Sequence, residues 1–122
     1  MAKTILIVDD STSIRQVVSF TLKQAGFAVV EGSNGKEGLA QLDTAPRVDL
    51  IVTDLNMPVM DGITFIKHVR SRPQSKGTPV LMLTTESQDS KKQEGKAAGA
   101  TGWLVKPFHP EKLLQTIARV LP

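Results

Sequence analysis

Cysteine is absent from the 122-residue chain, which excludes disulfides and thiolate metal sites and fits a reducing compartment. No apolar run approaches the ~20 residues of a membrane span. The run that follows Met1-Ala2-Lys3 covers only Ile5 to Val8, too short for the core of a secretory signal. Aromatic residues make up 4%, and the 15 Lys and Arg are spread along the chain, with Lys91-Lys92 the only adjacent pair. The net charge of +3 therefore reads as a solvated mixed surface, and nucleic acid is not an expected partner. Neither G-x-x-x-x-G-K-[ST] nor G-x-G-x-x-G occurs, so nucleotide binding has no support. The expectation is a cytoplasmic protein with no membrane insertion.

What is present suits a single domain over residues 1–122. A chain of this size hides roughly two thirds of its unfolded surface, enough for a core without staples. Five short apolar runs recur: Thr4 to Val8, Ala28 to Val30, Leu50 to Thr53, Val80 to Leu83 and Trp103 to Val105. Most are continuous rather than alternating, as strands covered on both faces are. Helical spacing fills the intervals. The first helix carries Ile14, Val17, Val18, Thr21, Leu22 and Ala25 on one stripe, with Ser11, Thr12 or Ser13 as N-cap and Gly26 as its stop. The second, near Gly35 to Asp43, is anchored by Leu39 and Leu42. The third carries Ile63, Ile66 and Val69, and the last starts at Pro110 with His109 before it. The fourth, Ser87 to Gly99, offers only Ala97 and Ala98 as apolar residues around an internal Gly95, and is expected to be the least stable. Gly26, Gly35, Gly62 and Gly102 read as turns and helix ends. Strands alternating with helices give an α/β fold, a doubly wound parallel sheet with helices on both faces.

In such sheets ligands bind beyond the carboxyl ends of the strands. Asp9 and Asp10 follow the first strand, Asp54 the third, Thr84 and Thr85 the fourth, and Lys106 the fifth. If the first and third strands are neighbours, all converge on one crevice. Any one strand-end Asp is more often a turn residue or a cap than a ligand. Asp9, Asp10, Asp54, Thr84 and Lys106 together are hard to reconcile with accident. Three close carboxylates repel unless a cation sits among them. With no Cys and no His cluster, a hard, oxygen-preferring ion is implied, and Mg²⁺ fits. A strand-end Asp can also act as nucleophile toward phosphorus, with Lys106 and Thr84 binding the phosphoryl oxygens. His68, His109, Met57 and Met60 are read as exposed or packing residues without a ligand role.

Val8-Asp9-Asp10-Ser11, Asp54-Leu-Asn-Met-Pro58 with Asp61-Gly62, Leu83-Thr84 and Val105-Lys106-Pro107-Phe108, taken in order, resemble the receiver domain of bacterial response regulators. The likeness runs essentially from end to end and is nearest to the single-domain chemotaxis regulators. It implies a five-stranded sheet of order 2-1-3-4-5. It implies Asp54 as phosphoacceptor and Mg²⁺ held by Asp9, Asp10, Asp54 and the carbonyl of Asn56. Lys106 and Thr84 would contact the phosphoryl group, with Thr84 and Trp103 as the switch pair. Asn56, Thr85 and Glu86 would flank the access and dephosphorylation route, and Lys106-Pro107 would be a cis peptide.

The implied function is a phosphorylation switch rather than an enzyme acting on others. A histidine kinase, of the chemotaxis type, would phosphorylate Asp54, and a protein target such as a flagellar motor switch would read the change. The chain is expected to be a monomer. One alternative is a phosphorelay intermediate outside chemotaxis. Another is a phosphatase of the haloacid-dehalogenase kind, which needs a general-acid Asp two residues beyond its nucleophile. Asn56 stands there and cannot serve. A flavodoxin-like carrier would need a phosphate-binding turn and flavin stackers, which the sequence lacks.

Overall fold

The computed structural model describes residues 2–45, 47–85 and 89–121, with Asp89 described in its backbone only. Strands and helices alternate without exception: β1 (Thr4–Val8), α1 (Thr12–Gln24), β2 (Ala28–Gly32), α2 (Gly35–Thr44), β3 (Leu50–Asp54), α3 (Gly62–Ser71), β4 (Val80–Thr84), α4 (Asp89–Ala98), β5 (Gly102–Val105) and α5 (Pro110–Val120). The strands form one parallel sheet of order β2-β1-β3-β4-β5, the order the resemblance implies.

Continuous apolar strands arise because successive side chains serve opposite cores. Ile5, Ile7, Leu50, Val52, Leu81 and Leu83 meet Val18 and Leu22 of α1 and Leu113 and Ile117 of α5. Leu6, Val8, Ile51, Val80 and Met82 meet Leu39 and Leu42 of α2 and Phe65, Ile66 and Val69 of α3. Each such side chain contributes about 1.5–3 kcal/mol when fully buried.

The helix ends follow their local chemistry. Ser11 is the N-cap of α1, its hydroxyl accepting from Ile14 N at 3.2 Å, and Gly26 closes the helix at φ +96°. The apolar stripe of α1 is narrower than the sequence suggests. Val18 and Leu22 are buried, whereas Val17 is 56% exposed, Ala25 is exposed, and Phe20 stands out at 64%. The i, i+4 row through Ile14, Val18 and Leu22 faces the sheet, and Val17 is turned about 100° from Val18. His109 precedes Pro110 at the start of α5 without a side-chain cap bond.

One glycine reading needs correction: Gly102 is the first residue of β5, not a turn. Gly95, expected to weaken α4, is also where α4 meets the sheet: a Cβ there would stand 2.0 Å from the Met82 sulfur. Glycine permits the close approach that the apolar-poor helix otherwise lacks. Its other end is held by Arg70 of α3, whose Nε and Nη2 donate to Gly99 O at 3.0 and 2.8 Å. The same guanidinium reaches Thr78 O at 2.7 Å.

At the amino edge, Asp49 joins β3 to β1: its Oδ2 accepts from Thr4 N at 2.8 Å, and its own N–H donates to Thr4 O at 2.8 Å. The Thr4 N–H holds the Asp49 carboxyl below the usual range, assisted by Arg47 and opposed by burial. Because the folded pKa is the lower one, this contribution is present above the unfolded value and is lost as pH falls through the folded one. Asp49→Ala is therefore expected to cost about 2 kcal/mol at pH 7, with the gap to wild type closing below about pH 4. Urea midpoints across that range check it.

Candidate functional site

The carboxyl ends of β1, β3, β4 and β5 bring the expected residues together. Asp9 follows β1, Asp54 ends β3 and Thr84 ends β4, so β3 and β4 each run one residue further than their apolar runs. Carboxylate oxygens of Asp9, Asp10 and Asp54 lie within 4.8 Å of one another. Asp9 is fully buried, Asp54 is 8% exposed and Asp10 faces solvent.

Lys106 spans the buried pair. Its Nζ lies 3.3 Å from Asp9 Oδ2 and 3.2 Å from Asp54 Oδ1. Asp9 Oδ1 accepts from Ser11 N at 2.9 Å, and Asp54 Oδ1 accepts from Leu55 N at 2.8 Å. Among the described residues, Asp54 Oδ2 is left without a protein donor. Burial pushes the Asp54 carboxyl above its ordinary range, the Asp9 charge adds to this, and Lys106 opposes both. The peptide Lys106-Pro107 is cis, as the resemblance implies.

Three carboxylates against one ammonium leave an excess of negative charge at hard oxygen donors. That donor set fits Mg²⁺ and suits neither thiophilic nor imidazole-seeking metals. A second feature points to an anion. Thr84 is fully buried, and its hydroxyl has no hydrogen-bond partner among the described residues. A buried hydroxyl without a partner costs about 1–3 kcal/mol, so an incoming acceptor oxygen is favoured there.

Asn56 is exposed in the loop after β3, and Thr85 is exposed directly after β4. Glu86 lies outside the described residues. Trp103 is 43% exposed on β5, with the Lys92 ammonium 5.9 Å from its ring centre. Register pairs Met82 with Trp103 and Thr84 with Val105, which by alternation sets Thr84 and Trp103 on one sheet face.

Sequence reasoning missed the role of Gly62, which it took for a turn or helix end. Gly62 opens α3, donates its N–H to Leu55 O at 2.9 Å, and presses on the backbone of Asp54: a Cβ would stand 2.3 Å from Asp54 O. The signal was a glycine at the first position of a helix directly after its Asp61 cap. A surface hollow of about 710 Å³ lies at the opposite edge beside Lys3, Asp49 and Pro79 and holds none of the site residues. The site is an open acidic cleft.

Residues 5–118 match the family described as the response regulator receiver domain. The chain is 37% identical over 121 residues to the phosphate regulon transcriptional regulatory protein PhoB of Escherichia coli, covering 99% of this chain and 52% of PhoB. The chain thus spans about half the length of that relative. It is 36% identical to the chemotaxis protein CheY1 of Helicobacter pylori, covering 96% of this chain and 95% of CheY1. Among solved structures, Vibrio cholerae CheY4, a chemotaxis response regulator, superposes with a TM-score of 0.94 at 58% identity, over 99% of this chain and 100% of the other.

Proposed function

The chain belongs to the response regulator receiver domain family, and from that membership we propose that residues 1–122 work as one phosphorylation switch with Asp54 as its phosphoacceptor. Receiver domains interact with histidine kinases and downstream targets. The donor here is a phosphohistidine of a histidine kinase, and the phosphorylated chain binds a protein target differently from the unmodified one. The observation that carries this reading is the Lys106 ammonium between Asp9 and Asp54 at the strand ends.

Asp54 Oδ2 is the nucleophile, because Oδ1 is engaged by Leu55 N and Lys106. As the new P–O bond forms, the P–N bond of the donor breaks and its electron pair leaves with the imidazole. Lys106 then binds a phosphoryl oxygen and Thr84 turns its free hydroxyl to another. Asp9, Asp10 and Asp54, with the Asn56 carbonyl, would hold Mg²⁺, which when bound neutralises the charge of the phosphoryl oxygens. Asn56 and Thr85 flank the route of water to the phosphoryl group and set its lifetime.

The pathway we propose is chemotaxis, with a flagellar motor switch as target. CheY4, at 58% identity, and CheY1, at 36%, support it. A regulator or phosphorelay intermediate outside chemotaxis is the second reading, favoured by the 37% identity to PhoB against 36% to CheY1. Incubation with a chemotaxis kinase and then with the motor-switch protein separates them. Phosphorylation-dependent binding to the switch protein supports the first, and its absence supports the second. We place the protein in the cytoplasm, as a monomer, without nucleic acid.

Activation moves the Thr84 hydroxyl toward the phosphoryl group and Trp103 inward along the same sheet face. The two conformers need differ by only a few kcal/mol for one charge-assisted bond to shift them. Trp103 is the only tryptophan, so its emission reports the move directly. Mg²⁺ with beryllofluoride is expected to change that emission and to reduce quenching by iodide, with neither effect in Asp54→Asn. Flat emission while beryllofluoride sits on Asp54 removes Trp103 from the switch.

A further inference from the structure

We infer that Arg15 is a positioning residue for the acidic cluster, acting through the backbone of Asp9 to aim the Asp10 carboxylate at the metal position. The inference rests on the Mg²⁺-dependent phosphoacceptor reading given above. Asp10 is the exposed member of the cluster, and no donor among the described residues hydrogen-bonds its carboxylate. Its direction is therefore set by its backbone, and first by the plane of the Asp9–Asp10 peptide. The oxygen of that peptide is the Asp9 carbonyl, and Arg15 Nη1 donates to it.

The rest of the guanidinium is anchored as well. Nε lies 3.5 Å from Glu31 Oε1 on β2, and Nη2 lies 3.4 Å from Thr12 Oγ1 at the start of α1. The Arg15 side chain is only 17% exposed. Its three nitrogens thus tie the exit of β1 to β2 and to α1. The other side of Asp9 is fixed by its N–H on Gly32 O at 3.2 Å and by Ser11 N on its Oδ1 at 2.9 Å. Remove the guanidinium, and the peptide that carries Asp10 loses its only side-chain donor among the described residues. A lysine keeps the charge but lacks the planar fork that serves three partners at once.

Charge and positioning act in opposite directions here, which makes the role testable. A cation near the cluster that acted only by its charge would repel a dication, so its removal would tighten Mg²⁺ binding. A cation that holds the loop in place would, when removed, weaken it. Calorimetric titration of Mg²⁺ into the full chain is expected to show Kd about tenfold higher in Arg15→Gln, a loss of the size seen when a partner of a metal ligand is removed. Arg15→Lys is expected to be weakened too, despite its charge. Glu31→Gln, which leaves the Asp9 carbonyl bond in place, is expected to stay within about twofold of wild type. At saturating Mg²⁺ the acetyl-phosphate rate of Arg15→Gln is expected to return to within about twofold of wild type. Mg²⁺ binding as tight as wild type, or tighter, in either Arg15 variant overturns the inference. Should Arg15→Gln fail to fold, Arg15→Lys alone decides it. A wild-type chain that binds no Mg²⁺ overturns the underlying reading instead, and is told apart because every variant is then equally silent.

Discussion

Asp54→Asn is expected to take up no phosphoryl group from acetyl phosphate or from a phosphorylated kinase, while the wild-type chain in Mg²⁺ gains one. The amide replaces the Oδ2 nucleophile with a group that cannot form a stable acyl phosphate. It also removes one of the three charges that would hold the ion. Burial and the nearby Asp9 charge disfavour an ionised Asp54, so a cation is expected to neutralise the cleft before an anionic donor enters. Chelation should therefore silence the wild type as completely as the substitution does. Intact-mass spectrometry reads both. Labelling that survives in Asp54→Asn, or that proceeds equally in excess chelator, contradicts the assignment.

Lys106→Ala is expected to uncouple phosphorylation from partner binding and, separately, to weaken the metal-free fold. Lys106 Nζ is the only cation paired with the carboxylates of Asp9 and Asp54 among the described residues, and Asp9 has no exposure to water. Loss of one partner from a buried pair leaves an uncompensated charge, here costing about 2–3 kcal/mol because Lys106 itself is partly solvated. Saturating Mg²⁺ is expected to restore most of that stability, since the ion can take over the neutralisation. Mg²⁺ binding should be kept and should tighten, because the three carboxylates remain and a neighbouring cation is gone. Phosphorylated Lys106→Ala is expected to bind its target no better than the unmodified chain. Urea melts with and without Mg²⁺ and titration against the target test the two halves independently. An undiminished response of target binding to phosphorylation would contradict the coupling role.

The central strands β1, β3 and β4 were legible because their apolar runs are unbroken, as in strands that two cores share. The residues after those runs were legible for the same reason, since the carboxyl edge of a parallel sheet is where the chain leaves its cores and polar groups begin. Less could be read wherever a contact decides the outcome. Val17 and Val18 are chemically identical, and only the sheet under α1 determines that Val18 is buried and Val17 is not. Gly95 looks like a flaw in a poor helix until Met82 is seen pressed against it. Gly62 resembles an ordinary loop glycine, yet its missing side chain lets α3 start on the backbone of Asp54. Arg15 carries no sequence signal of its own, because its partners are a carbonyl and two side chains that only the fold assembles. The unpaired hydroxyl of Thr84 is likewise invisible to composition or spacing.

The central claim is that a phosphoryl group on Asp54 is received by Lys106 and by the otherwise unpartnered hydroxyl of Thr84. A crystal structure of the chain with Mg²⁺ and beryllofluoride tests it most directly. The account predicts beryllium bonded to Asp54 Oδ2, one fluoride within hydrogen-bond distance of Lys106 Nζ and another within reach of Thr84 Oγ1. Beryllofluoride bound away from Asp54, or a Thr84 hydroxyl still without a partner in the complex, would contradict it.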